Sequence, residues 1–351
     1  MTVFNSPSFD RHELVAFKED HASGLRAIIA VHNTNLGPAI GGCRMYPYTS
    51  DEQALDDVLR LSRGMSYKSA LAGLPLGGGK AVIIGDPATQ KNRLLFRAMG
   101  DFIEGLNGQY ITAEDSGTGV ADLKIINERT RYVSGVMDGS QFGGDPSPYT
   151  AQGVYCGIKA ALAYRQNVTS LKGVRVAVQG AGAVGRHLTQ LLINDGAVVF
   201  VADINPNNLK LAQDLGAESV SPEAIFSLAV DVLAPCAMGG VIDEQRVGQI
   251  KAGIIAGAAN NQLANAIQGE QLRQQGILYA PDFVINAGGI IDVYHQRIEG
   301  SSDNTAAHVE SIGETLQKIF RRADKLSKNT ATVAEELAEE IFLRPMKTAA
   351  A

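Results

Sequence analysis

Three side chains in the first third of the chain are of types and in settings that could handle protons or charge. Lys80 follows Gly77-Gly78-Gly79 and precedes the apolar run Ala81-Val-Ile-Ile84. A lysine between a glycine turn and a buried strand is open to desolvation, which disfavours its charged form and would suit it to act as a base. Lys68, in Gly64-Met-Ser-Tyr-Lys68, adds a second ammonium, and Asp115, in Thr112-Ala-Glu-Asp115-Ser-Gly-Thr-Gly, adds a carboxylate. By residue type alone, each fits a structural ion pair as well as a chemical role. The glycine run does not make a Walker A loop, because Leu74 stands at the first-glycine position and Ala81 replaces Ser/Thr after the lysine. The glycines are therefore expected to bring backbone close to a small substrate rather than to nucleotide phosphates.

A second constellation lies in the middle of the chain. Val174-Arg-Val-Ala-Val-Gln179 runs into Gly180-Ala-Gly182-Ala183-Val184-Gly185 and then into Arg186-His-Leu-Thr-Gln-Leu-Leu, and a further apolar run ends at Asp203. A bare G-x-G-x-x-G is a weak signal, but one that follows a strand and opens a helix is a dinucleotide-binding fingerprint. Gly180 allows the tight turn, Gly182 lets a pyrophosphate approach the backbone, and Gly185 lets helix pack on strand. The helix start offers unpaired N–H groups to the phosphates. Asp203 would accept hydrogen bonds from the adenine ribose and repel a 2′-phosphate, so the cofactor expected is NAD.

The elements that must carry these residues follow from hydrophobic period. Residues 25–32 and 81–84 read as buried strands, 91–105 as a helix and 110–112 as a short strand. Ser50, followed by Glu52 and an apolar period near 3.6, opens a capped helix. Gly143-Gly-Asp-Pro-Ser-Pro-Tyr-Thr150 is a candidate hinge. After a helix at 150–166, strands at 174–179, 198–202, 231–234, 254–256 and 277–279 alternate with helices, which predicts a doubly wound parallel sheet. Amphipathic helices at 308–328 and 333–342 close the chain. The fold class expected is α/β with two domains: 1–147 for substrate and oligomerisation, 148–330 for a Rossmann domain, and a C-terminal segment 331–351 packing back on the first.

Composition removes several classes. The chain has 351 residues, 45% hydrophobic and 19% charged, which is ample for packed cores and speaks against disorder. A net charge of −6 gives no reason to expect nucleic acid. No apolar run is long enough for a membrane span, and no secretion signal opens the sequence. Three widely spaced cysteines, Cys43, Cys156 and Cys236, make neither a disulfide framework nor a zinc site. The six histidines (His12, His21, His32, His187, His295, His308) lack ligand spacing, so no metal is expected. A cytoplasmic location follows as the expectation. Glycine is over-used, at 38 residues against roughly 25 for average usage, and it is clustered.

The segments Gly41-Gly42-Cys-Arg44, Gly64-Met-Ser-Tyr-Lys68, Leu76-Gly-Gly-Gly-Lys80, Thr112-Ala-Glu-Asp115, Gly257-Ala-Ala-Asn260-Asn261-Gln and Pro281-Asp-Phe-Val-Ile-Asn286-Ala-Gly-Gly closely resemble the leucine/phenylalanine/valine dehydrogenase family. Their order and spacing match over nearly the whole chain. The resemblance implies that Lys68 pairs with the substrate carboxylate, aided by backbone at Gly41 and Gly42. It implies that Lys80 activates water, that Asp115 exchanges protons with the amino group, and that Asn261 touches substrate. It puts Arg44, Thr150, Asn260 and Asn286 near the cofactor. The implied reaction is reversible NAD-dependent oxidative deamination of an L-amino acid to its 2-oxo acid and ammonia, in a homo-oligomer of at least two copies, with closure of the two domains excluding water.

The resemblance also bears on the side chain accepted. Glutamate-specific relatives carry lysine and serine at the positions matching Ile40 and Val293, and Met65, Ala113 and Ile290 come from the same pocket segments. That hydrocarbon wall predicts an apolar substrate, with aromatic side chains, tryptophan included, favoured over leucine and valine. Two alternatives stay open, a glutamate-type dehydrogenase and an NAD-binding regulator without turnover.

Overall fold

Strand-forming residues come first in the chain and helix-forming stretches cover them. A computed structural model describes residues 3–136, 145–298 and 304–343. The chain makes two compact units, Met1–Gly144 with Val293–Ser301 and Ala338–Ala351, and Asp145–Asp292 with Ser302–Leu337.

The first unit contains β1 (Leu14–Asp20), β2 (Leu25–Asn33), β3 (Ala39–Tyr46), α1 (Asp51–Leu71), β4 (Gly77–Ile84), α2 (Arg93–Glu104), β5 (Tyr110–Glu114) and α3 (Val120–Asn127). Its sheet has the order β1-β2-β4-β3-β5. β1 and β2 are antiparallel, as are β2 and β4, whereas β4, β3 and β5 run parallel. α1 starts where expected, because the Ser50 side chain accepts from the Gln53 N–H at its N-terminus. Its apolar stripe of Ala54, Leu55, Val58 and Leu59 packs on Ile28, Ala30 and Val82. The opposite face of the sheet is buried under Leu95, Phe96, Met99 and Ile103 of α2 and Leu123 and Ile126 of α3.

Two readings of this region change. Gly77-Gly78-Gly79-Lys80 is not a turn before a strand but the first half of β4. These glycines serve packing: a Cβ on Gly77 would fall 2.1 Å from the Asn33 carbonyl oxygen, one on Gly78 2.1 Å from the Ser66 nitrogen, and one on Gly79 2.7 Å from the Tyr110 ring. Their close approach is to the protein's own elements. The sequence reading also passed over β1, which is a polar edge, and β3, whose Gly41-Gly42 interrupts the apolar pattern.

The second unit opens with α4 (Ser147–Gln166) and continues through β6 (Arg175–Gln179), α5 (Ala183–Asn194), β7 (Val198–Ala202), α6 (Pro206–Asp214), β8 (Glu218–Ser219), β9 (Val232–Pro235), α7 (Glu244–Val247), β10 (Ile254–Ile255), α8 (Ala266–Gln274), β11 (Leu278–Tyr279) and α9 (Asp282–Ile285). The helices α10 (Gly288–Ile298), α11 (Thr305–Leu326) and α12 (Thr330–Phe342) follow. The sheet order is β11-β10-β9-β6-β7-β8, with every neighbouring pair parallel. Numbered within the sheet, this is 6-5-4-1-2-3, the doubly wound dinucleotide-binding order. The short β8 had no sequence signal.

The expected hinge is corrected in part. Ser147 to Thr150 form the first turn of α4, with proline at a first-turn position where its missing N–H costs nothing. Gly143 and Gly144 lie outside the described residues, as do residues 344–351. The described end of α12 belongs to the first unit, where Phe342 stacks on Tyr67 and Glu339 accepts from the Tyr67 hydroxyl. Among the described residues no helix is long and apolar enough to cross a membrane.

Candidate active site

Strand register decides which side chains meet. Ile40 lies opposite Gly78 and Ile111, Gly42 opposite Ala113, and Arg44 opposite Val82. With side chains alternating along each strand, Ile40, Gly42, Arg44, Lys80 and Ala113 share the face that α1 covers. Met65 and Lys68, three apart on α1 and both half-buried, belong to the helix over that face.

Lys80 is 6% exposed and forms an ion pair with Asp115, which follows the end of β5. Asp115 is shaped by its own turn: the Ser116 N–H donates to its Oδ1 at 2.7 Å, and Thr118 Oγ1 accepts from the Asp115 N–H at 3.2 Å while donating to the Cys43 carbonyl at 2.6 Å. Gly42 leaves room for this turn, since a Cβ there would lie 2.6 Å from that of Asp115. Burial by itself would raise the Asp115 carboxyl, but the Lys80 ammonium and then the Arg44 guanidinium outweigh it and hold the group down at about 2. Asp115 is thus an ionised carboxylate at neutral pH, able to accept a proton. Gly41 lies against β4, where a Cβ would fall 1.7 Å from the Gly79 oxygen, and its carbonyl accepts from the buried Tyr110 hydroxyl at 2.7 Å.

Arg44, expected near the cofactor, stands in this first-unit cluster. Its Nη1 donates to Asp57 Oδ2 at 2.9 Å and its Nε lies 3.5 Å from Asp115 Oδ2. Sequence reasoning missed Asp57, because an aspartate three residues before Arg60 on an amphipathic helix looks like a solvated surface pair. It also missed Tyr110 and Thr118, whose bonds to strand backbone leave no local trace. On α10, Ile290 is half-buried and Val293 is 8% exposed.

The remaining expected cofactor residues fall in the second unit. Gly180, at φ +99°, makes the turn after β6 in a conformation that favours glycine. A Cβ on Gly185 would fall 1.9 Å from the Gly180 oxygen, whereas nothing stands within 4 Å of the corresponding point at Gly182. Open space over Gly182, at the start of the twelve-residue helix α5 with Ala183 and Val184 in its first turn, fits a pyrophosphate. Asp203, just past β7, accepts from the Ala181 N–H and from the Asn205 N–H, each at 2.7 Å, so it ties the glycine turn to the strand end. Thr150 donates to the Pro146 carbonyl at 3.0 Å. Asn286 donates to Asn260 Oδ1 at 2.8 Å and to the Ala258 carbonyl at 3.0 Å, and its own buried Oδ1 has no hydrogen-bond partner among the described residues. Asn261 adopts φ +51°, and the buried Gln262 supports this loop by donating to the carbonyls of Gly257 and Ala259 at 2.8 and 3.0 Å.

Comparison with known proteins places the whole chain in one family. Residues 11–132 match the Glu/Leu/Phe/Val dehydrogenase dimerisation domain, and residues 205–351 match the Glutamate/Leucine/Phenylalanine/Valine dehydrogenase domain. The chain is 49% identical to the leucine dehydrogenase of Geobacillus stearothermophilus, over 97% of this chain and 93% of that protein. It is 44% identical to the phenylalanine dehydrogenase of Bacillus thermotolerans, over 97% and 90% respectively. The crystal structure of L-tryptophan dehydrogenase from Nostoc punctiforme superposes with a TM-score of 0.82 at 43% identity, covering 95% of this chain and 96% of that one. With near-complete coverage and the lysine–aspartate pair and glycine fingerprint in place, the chain belongs to the glutamate/leucine/phenylalanine/valine dehydrogenase family, oxidoreductases acting on the CH–NH2 group of amino acids.

Proposed function

We propose that the chain catalyses reversible, NAD-dependent oxidative deamination of an apolar L-amino acid, with aromatic side chains favoured, to the 2-oxo acid and ammonia. The observation that carries this reading is the ionised Asp115 paired with buried Lys80 on the sheet face shared by the hydrocarbon of Ile40 and Ala113. Lys68, with backbone at Gly41 and Gly42, binds the substrate carboxylate. Asp115 takes a proton from the substrate ammonium and so frees the nitrogen lone pair. Gly180, Gly182, Ala183, Val184, Gly185, Asp203, Thr150, Asn260 and Asn286 would hold the dinucleotide, whose nicotinamide would supply the acceptor for the hydride from Cα. Lys80 then directs water onto the resulting imine carbon, and Asp115 returns its proton to nitrogen so that ammonia departs. Asn261 contacts the substrate.

The Asp203 carboxylate supports NAD over NADP, because a 2′-phosphate would face an anion there. Ile40, Met65, Ala113, Ile290 and Val293 support an apolar side chain. A carboxylate buried against hydrocarbon without a partner costs several kcal/mol, on the order of 10³-fold in selectivity, whereas full burial of a large apolar group gains roughly 1.5–3 kcal/mol. The match of residues 11–132 to a dimerisation domain supports a homo-oligomer of at least two copies.

The test is NADH and NADPH formation across all amino acids. Strong turnover of phenylalanine or tryptophan with NAD, and almost none of glutamate, is expected. Robust glutamate oxidation overturns the apolar assignment, activity confined to leucine and valine overturns the aromatic preference, and equal efficiency with NADP overturns the cofactor assignment. Tight NAD binding without turnover of any amino acid points to the regulator.

A further inference from the structure

Beside the ion pair that does the chemistry lies a second, unassigned one. Asp57 of α1 is clamped from three sides: Tyr48 donates its hydroxyl proton to Oδ2 at 2.6 Å, Arg44 Nη1 reaches the same oxygen at 2.9 Å, and Arg60 Nη2 reaches Oδ1 at 3.0 Å. The Asp57 side chain is 12% exposed and that of Arg44 21%, so the pair is well shielded from solvent. With one end of its guanidinium held by Asp57, Arg44 presents Nε at 3.5 Å from Asp115 Oδ2, the same oxygen that Lys80 pairs with. Charges therefore alternate along a line: Asp57 negative, Arg44 positive, Asp115 negative, Lys80 positive.

We propose that Asp57 and Arg44 act as positioning residues for the reaction, Asp57 and Tyr48 orienting the Arg44 fork so that Arg44 holds Asp115 in place and ionised. This rests on the deamination reading above. Its physical reason lies in what that reaction asks of Lys80. An ammonium that must turn towards a water molecule loosens its grip on Asp115, and a carboxylate that loses its only cation is free to rotate and to keep its proton. A second cation, itself fixed by a carboxylate and a tyrosine, prevents both. The planar guanidinium suits this because it can face two carboxylates at once, which a lysine cannot.

The experiment is a double-mutant cycle on the full-length enzyme, combining Arg44→Met and Asp57→Asn each with Asp115→Asn. Maximal deamination rate and NADH affinity, the latter by fluorescence titration, are read for every variant. Arg44→Met is expected to lower kcat by about 10- to 100-fold, a fraction of a general acid–base contribution, and Asp57→Asn by less. Neither should change the Kd for NADH by more than about twofold. In the Asp115→Asn background neither should lower kcat further, because groups that act as a unit are non-additive. Arg44→Lys, which keeps the charge but cannot span both carboxylates, should recover part of the rate. A tenfold weaker Kd for NADH in both backgrounds, or losses of rate that multiply with that of Asp115→Asn, overturns the proposal. If Arg44→Met fails to fold, Asp57→Asn, which preserves volume, decides by the same criteria. A wild-type enzyme inactive on every amino acid removes the deamination reading and this one together, whereas an active one with independent losses removes this one alone.

Discussion

At the scale of single residues, the reaction asks different things of three charged groups. In the proposed mechanism Lys80 and Asp115 act on protons and water during bond changes, so Lys80→Ala and Asp115→Asn should each lower the deamination rate by roughly 10²–10⁴-fold while NADH affinity stays within a factor of about two. A loss below tenfold at either position removes that side chain from the mechanism. Asp115→Asn is the cleaner of the two, because it keeps the shape of the turn and the bonds made by Thr118 and Ser116. The carboxylate proposed as the partner of Lys68 is charged in both ground and transition states, so Lys68→Ala should raise KM for the amino acid far more than it lowers kcat. An unchanged KM excludes the carboxylate role.

At the scale of elements, β4 serves the packing of the first unit and also carries Lys80, the lysine of the proposed mechanism. Its three glycines let α1 and the ring of Tyr110 come against the strand that bears Lys80. Gly78→Ala would place a methyl group 2.1 Å from the Ser66 nitrogen and 2.6 Å from the Ser62 oxygen, and both neighbours are backbone that cannot rotate away. Overpacking of a well-packed core costs about 1–3 kcal/mol, and a backbone neighbour puts this position at the upper end. A urea unfolding curve should show that loss, together with a reduced rate, since Lys80 is two residues away. A Gly78→Ala enzyme of wild-type stability would mean that α1 shifts from β4 at no cost.

At the scale of the whole molecule, stability carries a pH dependence set apart from the reaction. His12 and His32 pack edge to face with ring centroids 4.9 Å apart, His12 on Ser62 and His32 on Ser66 of α1, with Phe342 against His32. Burial, and then the neighbouring His12, push His32 from its ordinary 6.5 down to about 4, and burial lowers His12 as well. Between those values the unfolded chain binds protons that the folded one refuses. The stability that His32 provides is therefore complete above about pH 6.5 and is lost as pH falls towards about 4, by up to about 3 kcal/mol, and His12 adds a loss of the same sign. Asp115 adds a further loss only below the ordinary carboxylate range, towards about 2. The urea midpoint should fall from pH 7 to pH 5, and His32→Gln should flatten that slope. An equal midpoint at both pH values refutes the assignment.

The glycine fingerprint at 180–185, Asp203 at the end of its strand, the strand–helix alternation after residue 174 and the capped start of α1 were legible in the sequence because each is a local signal. Hydrophobic period and glycine spacing act over a few residues, and nearby chain reads them out. The resemblance also put Lys68, Lys80 and Asp115 into one reaction. Tertiary structure alone decided that Lys80 meets Asp115, 35 positions further along the sequence, because only the parallel register of β4, β3 and β5 places them on one face. It decided that Gly77–Gly79 are strand rather than turn, since the reason for those glycines is the approach of Ser66, Asn33 and Tyr110 from distant segments. It also set Arg44 beside Asp115 and gave it Asp57, a partner that neither period nor spacing could pick out among the acidic residues of an ordinary amphipathic helix.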